Sequence, residues 1–228
     1  KAPVMDHSVK MNSLYCLENM YLVEECSPTS ASNQEWFVNT FLKEAAGGRR
    51  LYQVADEMVE SVGPDEANIV FLPYLYGGSD DARAGATFAN LSAAHTRAHL
   101  LRAVYEGIVF GHKLHIDRLL ASREAPPRAV RLAGGVTNAP MWVQMFADIL
   151  EMDVETIEVK ELGALGAAMT AGVAAGLYPD LAAAAARMVK VSRVYHPNAD
   201  LAPVYRRKYR DFRTVVDAMA PAWAKLER

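Results

Sequence analysis

A pair of glycines separates an apolar segment from an amphipathic helical pattern in the second half of the chain. Leu132 and Ala133 end the apolar segment, Gly134 and Gly135 follow, and Pro140 opens the helical pattern. Glycine lets the backbone adopt positive φ and leaves no Cβ in the way of an approaching ligand. Proline suits the first turn of a helix. The segment therefore predicts a strand, a tight turn and a helix, which is common both to nucleotide-binding turns and to ordinary βα connections.

The helix after the glycine pair has one apolar face. Thr137 or Asn138 is placed to cap its N-terminus. Apolar residues then recur at helical spacing, which predicts that they face a sheet: Trp142, Met145, Phe146, Ile149 and Leu150. A strand near residues 154–159 and a helix of small residues at 163–176 come next. This β-α-β-α order predicts an α/β protein.

Composition excludes several classes of protein. The chain has 228 residues, 51% of them hydrophobic, and a net charge of −3. The absence of a basic run argues against a nucleic-acid partner, and no apolar segment is long enough to span a membrane. Cys16 and Cys26 lack the spacing of a zinc site or a disulfide scaffold, so reduced thiols and a cytoplasmic location are expected. Residues 1–10 are polar and do not resemble an export signal.

The remaining patterns predict further elements. Three glycines in the small-residue helix, Gly163, Gly166 and Gly172, each cost a helix about 1 kcal/mol relative to alanine. We therefore expect that helix to pack closely on the sheet. The other expected elements are a strand pair at 12–26, a helix within 27–42, a helix at 49–61, a buried strand at 69–73, a long helix at 96–121 and a terminal helix within 201–226.

Four segments resemble one family in their order along the chain. In chain order they are Phe71-Leu72-Pro73-Tyr74-Leu75-Tyr76-Gly77; Ala86-Thr87-Phe88-Ala89-Asn90-Leu91, followed after seven residues by His99-Leu100-Leu101-Arg102-Ala103-Val104-Tyr105-Glu106; Gly134-Gly135 with Trp142 and Gln144; and Glu161-Leu162-Gly163-Ala164-Leu165-Gly166-Ala167-Ala168. Together they are similar to the C-terminal domain of the FGGY carbohydrate kinases. Asn90 stands where that family usually has glycine, a mild departure because asparagine tolerates left-handed backbone.

The resemblance implies a fold and a domain organisation. The fold is an α/β ribonuclease H-like (actin-like ATPase) domain with a mixed sheet flanked by helices. Residues 1–228 would form the C-terminal, nucleotide-facing domain of a sugar kinase, whose N-terminal domain is absent and is the expected partner. A homodimer through exposed long helices is a further alternative.

The resemblance also implies an activity. FGGY kinases transfer the γ-phosphoryl group of ATP to a sugar hydroxyl with Mg²⁺ in a cleft between two domains. The segments Ser27-Pro28-Thr29-Ser30 and His95-Thr96-Arg97-Ala98-His99 are most similar to kinases of L-xylulose, so L-xylulose or a related ketopentose is the expected substrate. A kinase of another pentulose or polyol, and a non-catalytic actin-like binding module, stay open. The phosphate-gripping motif and the general-base aspartate have no match in the chain, so no catalytic residue is assigned and the chain by itself is expected to be inactive.

The resemblance places the nucleotide on two turns. Gly134 and Gly135 would lie against the adenine and ribose, and Asn138 would either contact the ligand or only cap the helix. On the other turn the corresponding residues are Ala31, Asn33 and Glu35, with the carboxylate of Glu35 expected near the nucleoside because it would repel the triphosphate.

Other polar residues are expected to be structural. Glu106 fits a buried, paired residue better than a catalytic base. Four histidines lie near helical spacing without a matching carboxylate, and we expect them on the helix surface or in the core rather than on a metal: His95, His99, His112 and His115.

Overall fold

A computed structural model describes residues 11–159 and 161–226, so the prediction about residues 1–10 lies outside the described part. The described helices and strands follow in chain order: β1 (Met11–Leu14), β2 (Tyr21–Glu24), α1 (Ser32–Phe41), α2 (Leu51–Glu60), β3 (Val70–Leu72), β4 (Thr87–Ala89), α3 (Arg97–Ala121), β5 (Val130–Arg131), α4 (Pro140–Leu150), β6 (Val154–Ile157), α5 (Leu162–Ala174), α6 (Leu181–Met188), β7 (Val191–Tyr195) and α7 (Ala202–Trp223). None of these helices is long and apolar enough to cross a membrane.

The sheet next to the glycine pair is mixed. Strand β6 pairs in parallel with β5, with Val130 opposite Val154, and antiparallel with β7, with Val154 opposite Tyr195. Helix α4 forms the crossover between the two parallel strands, as βα connections require. The predicted β-α-β order is therefore confirmed. The strands β1 and β2 form a separate antiparallel pair, and so do β3 and β4.

Helix α3 lies at the centre of the core. Residues 101–110 are all buried, so this stretch is covered on every side rather than on one face. The helix packs against β3, α1, α2, α4 and α7. Gly107 permits the approach of β3, because a Cβ there would lie 2.3 Å from the carbonyl oxygen of Phe71. The apolar face predicted for α4 is confirmed, since Trp142, Phe146 and its other members are buried.

A charged cluster is buried between α3 and α7. Glu106 Oε1 accepts a 2.8 Å hydrogen bond from Arg102 Nε, and Glu106 Oε2 lies 2.5 Å from Lys208 Nζ. All three residues are less than 10% exposed. Arg102 also donates to the hydroxyl of Tyr205 at 3.0 Å. The expectation that Glu106 is buried and paired is confirmed.

The prediction that α5 packs closely on the sheet is wrong. No atom of the described residues lies within 4 Å of a Cβ built at Gly163 or Gly166, and only Gly172 meets a neighbour, the ring of Tyr178. Helix α5 packs mainly against α6 instead.

Candidate functional site

The glycine pair forms an open turn at the surface. Gly134 has φ 89° and ψ −167°, a conformation that a residue with a side chain rarely adopts. A Cβ built at Gly134 or Gly135 meets no atom of the described residues within 4 Å. The hydroxyl of Thr137 donates a 2.8 Å hydrogen bond to the carbonyl oxygen of Gly134 and closes the turn. The backbone here is accessible to a ligand from the side that a Cβ would occupy.

A short 3₁₀ turn, Gly135–Asn138, lies between the glycine pair and α4. The residue directly before α4 is Ala139, while Pro140 takes the first helical position. The prediction that Thr137 or Asn138 caps α4 is therefore wrong, because the extra turn moves both residues out of the capping position. Asn138 is exposed on the turn, where a ligand can reach it.

The second turn leads into α1. Ala31 occupies the position before the helix and is half-buried, and Glu35 is exposed. Asn33 lies between them along the chain but is fully buried. Its side-chain amide donates to the carbonyl oxygen of Ser30 at 3.0 Å, while its Oδ1 has no hydrogen-bond partner among the described residues. Asn33 therefore shapes the turn, whereas Ala31 and Glu35 are accessible from outside.

A side chain of α3 and a backbone carbonyl of the loop between β3 and β4 hold the α1 turn in place. His112 Nε2 lies 2.7 Å from Ser30 Oγ. The hydroxyl of Thr29 donates to the carbonyl oxygen of Pro73 at 2.5 Å. Burial lowers the pKa of His112, and the nearby His115 adds to this effect. At neutral pH the imidazole of His112 is therefore uncharged while it holds Ser30.

Both predicted turns are attached to one residue of α3. Tyr105 is fully buried, and its hydroxyl accepts a 2.5 Å hydrogen bond from Gln34 Nε2 in the first turn of α1. The same hydroxyl donates to Asp56 Oδ1 at 2.8 Å. On the other side, Trp142 Nε1 of α4 donates to the carbonyl oxygen of Tyr105 at 3.3 Å, and the two rings lie 4.4 Å apart between centroids. The structure thus places both turns beside the same stretch of α3.

The sequence analysis did not assign Gln34, Tyr105 or Ser30 to the site. One signal was available for Gln34: it is a polar residue on the apolar side of α1, next to Phe37 and Val38, which are buried with it. A buried amide needs a hydrogen-bond partner, so its position predicts a polar group in the core. The identity of that group, 71 residues further along the chain, has no local signal.

The four histidines have individual hydrogen-bond roles. His95 Nδ1 accepts from the backbone N–H of Ser92 at 3.0 Å, and His99 Nδ1 accepts from that of Thr96 at 3.1 Å at the start of α3. His115 Nδ1 lies 2.9 Å from Glu25 Oε2. Within residues 11–159 and 161–226, no three or more His, Cys, Asp or Glu side chains are grouped so that they could hold a metal ion.

A cavity of about 550 Å³ lies between α3, α7 and the loop after β3, and its lining includes Thr29 and His112, which support the α1 turn. None of the six predicted site residues lines it. Some polar groups of its lining bind one another: Arg118 Nη1 donates to Asp80 Oδ1 at 3.1 Å, and the hydroxyl of Tyr209 donates to Asp117 Oδ2 at 2.7 Å. Because none of the predicted site residues lines this cavity, we keep the two turns as the candidate nucleotide site.

Comparison with known proteins identifies the family. Residues 4–175 match the model of the FGGY family of carbohydrate kinases, C-terminal domain. The L-xylulose/3-keto-L-gulonate kinase of Escherichia coli (strain K12) is 32% identical over 93% of this chain and 41% of its own length. A probable L-xylulose kinase of Pasteurella multocida is 34% identical over 90% of this chain and 40% of its own length. The chain thus spans about two fifths of the length of these relatives.

Solved structures of sugar kinases have the same fold as this chain. The xylulose kinase from Rhodospirillum rubrum matches 96% of this chain and 44% of its own with a TM-score of 0.84 and 26% identity. The gluconate kinase from Lactobacillus acidophilus matches 91% of this chain and 42% of its own with a TM-score of 0.81 and 25% identity. The predicted α/β, ribonuclease H-like (actin-like ATPase) fold is therefore confirmed, and the chain belongs to the FGGY family of carbohydrate kinases.

Proposed function

We propose that residues 1–228 are the C-terminal, nucleotide-facing domain of an ATP-dependent sugar kinase. The observation that carries the proposal is the open turn at Gly134 and Gly135, where the space of two missing side chains faces outward. A flat adenine or ribose ring needs such an unobstructed approach to the backbone. Asn138 and Glu35 are exposed and carry the polar atoms that a nucleoside can bind.

The proposed nucleotide site uses the remaining predicted residues in different ways. Ala31 presents only a methyl group at the α1 turn and leaves room for a ring. Asn33 acts from within, since its amide fixes the carbonyl of Ser30. ATP therefore fits the residues that are present, as a nucleoside held between two turns.

The described residues do not fit Mg²⁺ in the same way. They include no grouping of acidic and histidine side chains that could hold a metal ion. Phosphoryl transfer also needs a group that orients the sugar hydroxyl and donors for the phosphate oxygens. We propose that these parts belong to the rest of the enzyme, so that this chain binds nucleotide but does not phosphorylate sugar by itself.

The surface of α5 supports a further domain as partner. This helix carries no charged residue between Leu162 and Ala174, yet most of it is exposed. Exposed apolar helices in proteins mark interaction surfaces. Relatives such as the Escherichia coli L-xylulose/3-keto-L-gulonate kinase are more than twice as long as the matched region. We propose that the N-terminal kinase domain covers α5, in preference to a second copy of this chain.

L-xylulose or a related ketopentose is the proposed substrate. Its support is the similarity to two proteins named as L-xylulose kinases, at 32% and 34% identity. Because ATP is the proposed donor, we also propose a cytoplasmic location.

The test is sugar-dependent ADP release by a polypeptide that carries this chain together with the domain proposed to precede it. We expect L-xylulose to give the highest kcat/KM in a panel of pentuloses, pentoses and polyols. A preference for another sugar would reject L-xylulose as the substrate. If no sugar in the panel stimulates ADP release, the kinase activity is rejected in favour of a non-catalytic actin-like module. The 228-residue chain is the matched control, and sugar-dependent ADP release by it would reject the proposed division of labour.

A further inference from the structure

We infer that Tyr105 is a positioning residue that holds the two turns of the nucleotide site in a fixed relation to each other, an inference that rests on the proposed function. It would not touch the nucleotide, because its side chain is fully buried. It would act through Gln34 on one turn and Trp142 on the other.

The connection to the α1 turn depends on the hydroxyl group. Gln34 Nε2 donates to this oxygen at 2.5 Å, and the oxygen donates in turn to Asp56 Oδ1 at 2.8 Å. Burial and the nearby carboxylate of Asp56 both raise the pKa of the Tyr105 hydroxyl, so this hydroxyl keeps its proton and stays a donor. Since Gln34 stands between Asn33 and Glu35 in the chain, fixing its side chain fixes the directions of both neighbours.

The connection to the glycine turn depends on the ring and the backbone. Trp142 is 2% exposed and lies in the first turn of α4, directly after the 3₁₀ turn. Its indole N–H donates to the carbonyl oxygen of Tyr105 at 3.3 Å, and its ring is tilted 37° against the tyrosine ring with centroids 4.4 Å apart. Aromatic pairs at this separation attract each other in addition to burying area. The start of α4, and with it Gly134 to Asn138, is therefore held against α3 at this point.

The two connections are separable by substitution. Tyr105→Phe removes the hydroxyl but keeps the ring against Trp142, so it should loosen only the α1 turn. Tyr105→Leu removes both the hydroxyl and the ring, so it should loosen both turns. Gln34→Leu breaks the same hydrogen bond from the other side. A buried hydrogen bond of this kind is worth about 0.5–1.5 kcal/mol, which is about a 2- to 10-fold change in an equilibrium.

Tyr209→Phe is the matched control. Tyr209 is also buried, contacts α3, and donates from its hydroxyl to a carboxylate, that of Asp117, at 2.7 Å. It lies on α7, and its hydroxyl bonds to Asp117 on α3, so this bond joins neither turn to α3. Removing its hydroxyl changes a buried tyrosine in the same way without touching the proposed site.

The first experiment is amide hydrogen exchange of the 228-residue chain without ligand. We expect Tyr105→Phe and Gln34→Leu to speed exchange in the first turn of α1 about 2- to 10-fold. The double variant should be no faster there than Tyr105→Phe, because Tyr105→Phe already removes the one bond that Gln34→Leu breaks. Tyr105→Leu should also speed exchange at the start of α4. Wild-type exchange at both turns in Tyr105→Phe and Tyr105→Leu, or equal acceleration in Tyr209→Phe, would overturn the inference.

The second experiment measures the dissociation constant of Mg·ADP by calorimetry. We expect a value about 2- to 10-fold higher for Tyr105→Phe and an unchanged value for Tyr209→Phe. Tight binding by Tyr105→Phe equal to that of the wild type would overturn the positioning role. Failure of the wild-type chain to bind counts against the proposed function, whereas the exchange data without ligand still decide the role of Tyr105.

Discussion

Replacing Glu106 by glutamine should destabilise the protein strongly. The carboxylate contacts two buried cations at once, Arg102 at 2.8 Å and Lys208 at 2.5 Å, and all three side chains lie in the core. Glutamine keeps the shape but leaves two buried positive charges without an anion. Breaking a buried ion pair in this way costs about 3–5 kcal/mol, a large share of the roughly 5–15 kcal/mol that keeps a domain folded.

The complementary substitution Lys208→Met should cost less. It leaves Arg102 and Glu106 as a balanced pair, and it removes one donor from the carbonyl oxygens of Pro64 and Ala67, each 3.0 Å from Lys208 Nζ. Each buried acceptor left without a partner costs about 1–3 kcal/mol, but no buried charge loses its counter-ion. The charge count therefore predicts an order: Glu106→Gln is the more destabilising of the two, although it is the more conservative in shape.

Urea unfolding at neutral pH, followed by tryptophan fluorescence and far-UV circular dichroism, measures both free energies. Glu57→Gln is the control, since Glu57 forms an exposed ion pair with Arg49 at 2.6 Å and its loss should change stability little. A stability of Glu106→Gln within about 1 kcal/mol of wild type, or a smaller loss than that of Lys208→Met, would refute the reasoning from buried charge.

Three further predictions follow from single positions. Gly134→Ala should lower the free energy of unfolding by about 1–3 kcal/mol because its φ is positive, whereas Gly135→Ala should change it by less than about 0.5 kcal/mol; equal urea midpoints for the two variants would contradict this. Burial lowers the pKa of His112, so its protonation favours the unfolded chain. The free energy of unfolding should be highest above about pH 6.5 and fall as the pH drops towards 5. Urea titrations at pH 7 and at about pH 5 should show a smaller fall for His112→Gln than for the wild type. Cys16 and Cys26 are free and exposed, so both should react with a thiol reagent in the native protein, and a single reacting thiol would show one of them to be covered.

Local periodicity was sufficient to predict most of the helices and the β-α-β order around α4. The apolar spacing that begins at Trp142 describes a helix with one buried face, and that face is buried. Strand β7, Val191–Tyr195, was missed because it is an edge strand with only Tyr195 buried, which gives little hydrophobic alternation. Strand β4 has three residues, too few to show a period.

The candidate site was predictable in its turns but not in their supports. The pair Gly134 and Gly135 is visible in the sequence because glycine has a distinct conformational role, and Gly134 uses it. The contact that joins the turns runs from Gln34 to Tyr105 to Trp142, over separations of 71 and 37 residues. Such contacts depend on how helices cross, which no local pattern encodes. For the same reason α5 was assigned to the wrong neighbour, since its glycines indicate close packing but not against which surface.

Calorimetric titration of the 228-residue chain with Mg·ADP tests the central claim most directly. The claim is that the turn at Gly134 and Gly135 forms half of a nucleotide site. We predict binding in the millimolar range or tighter for the wild type, at least about tenfold weaker binding for Gly135→Val, and unchanged binding for Ala218→Val on the exposed side of α7. Equal heats for the wild type and Gly135→Val, whether both bind or neither does, would contradict the account.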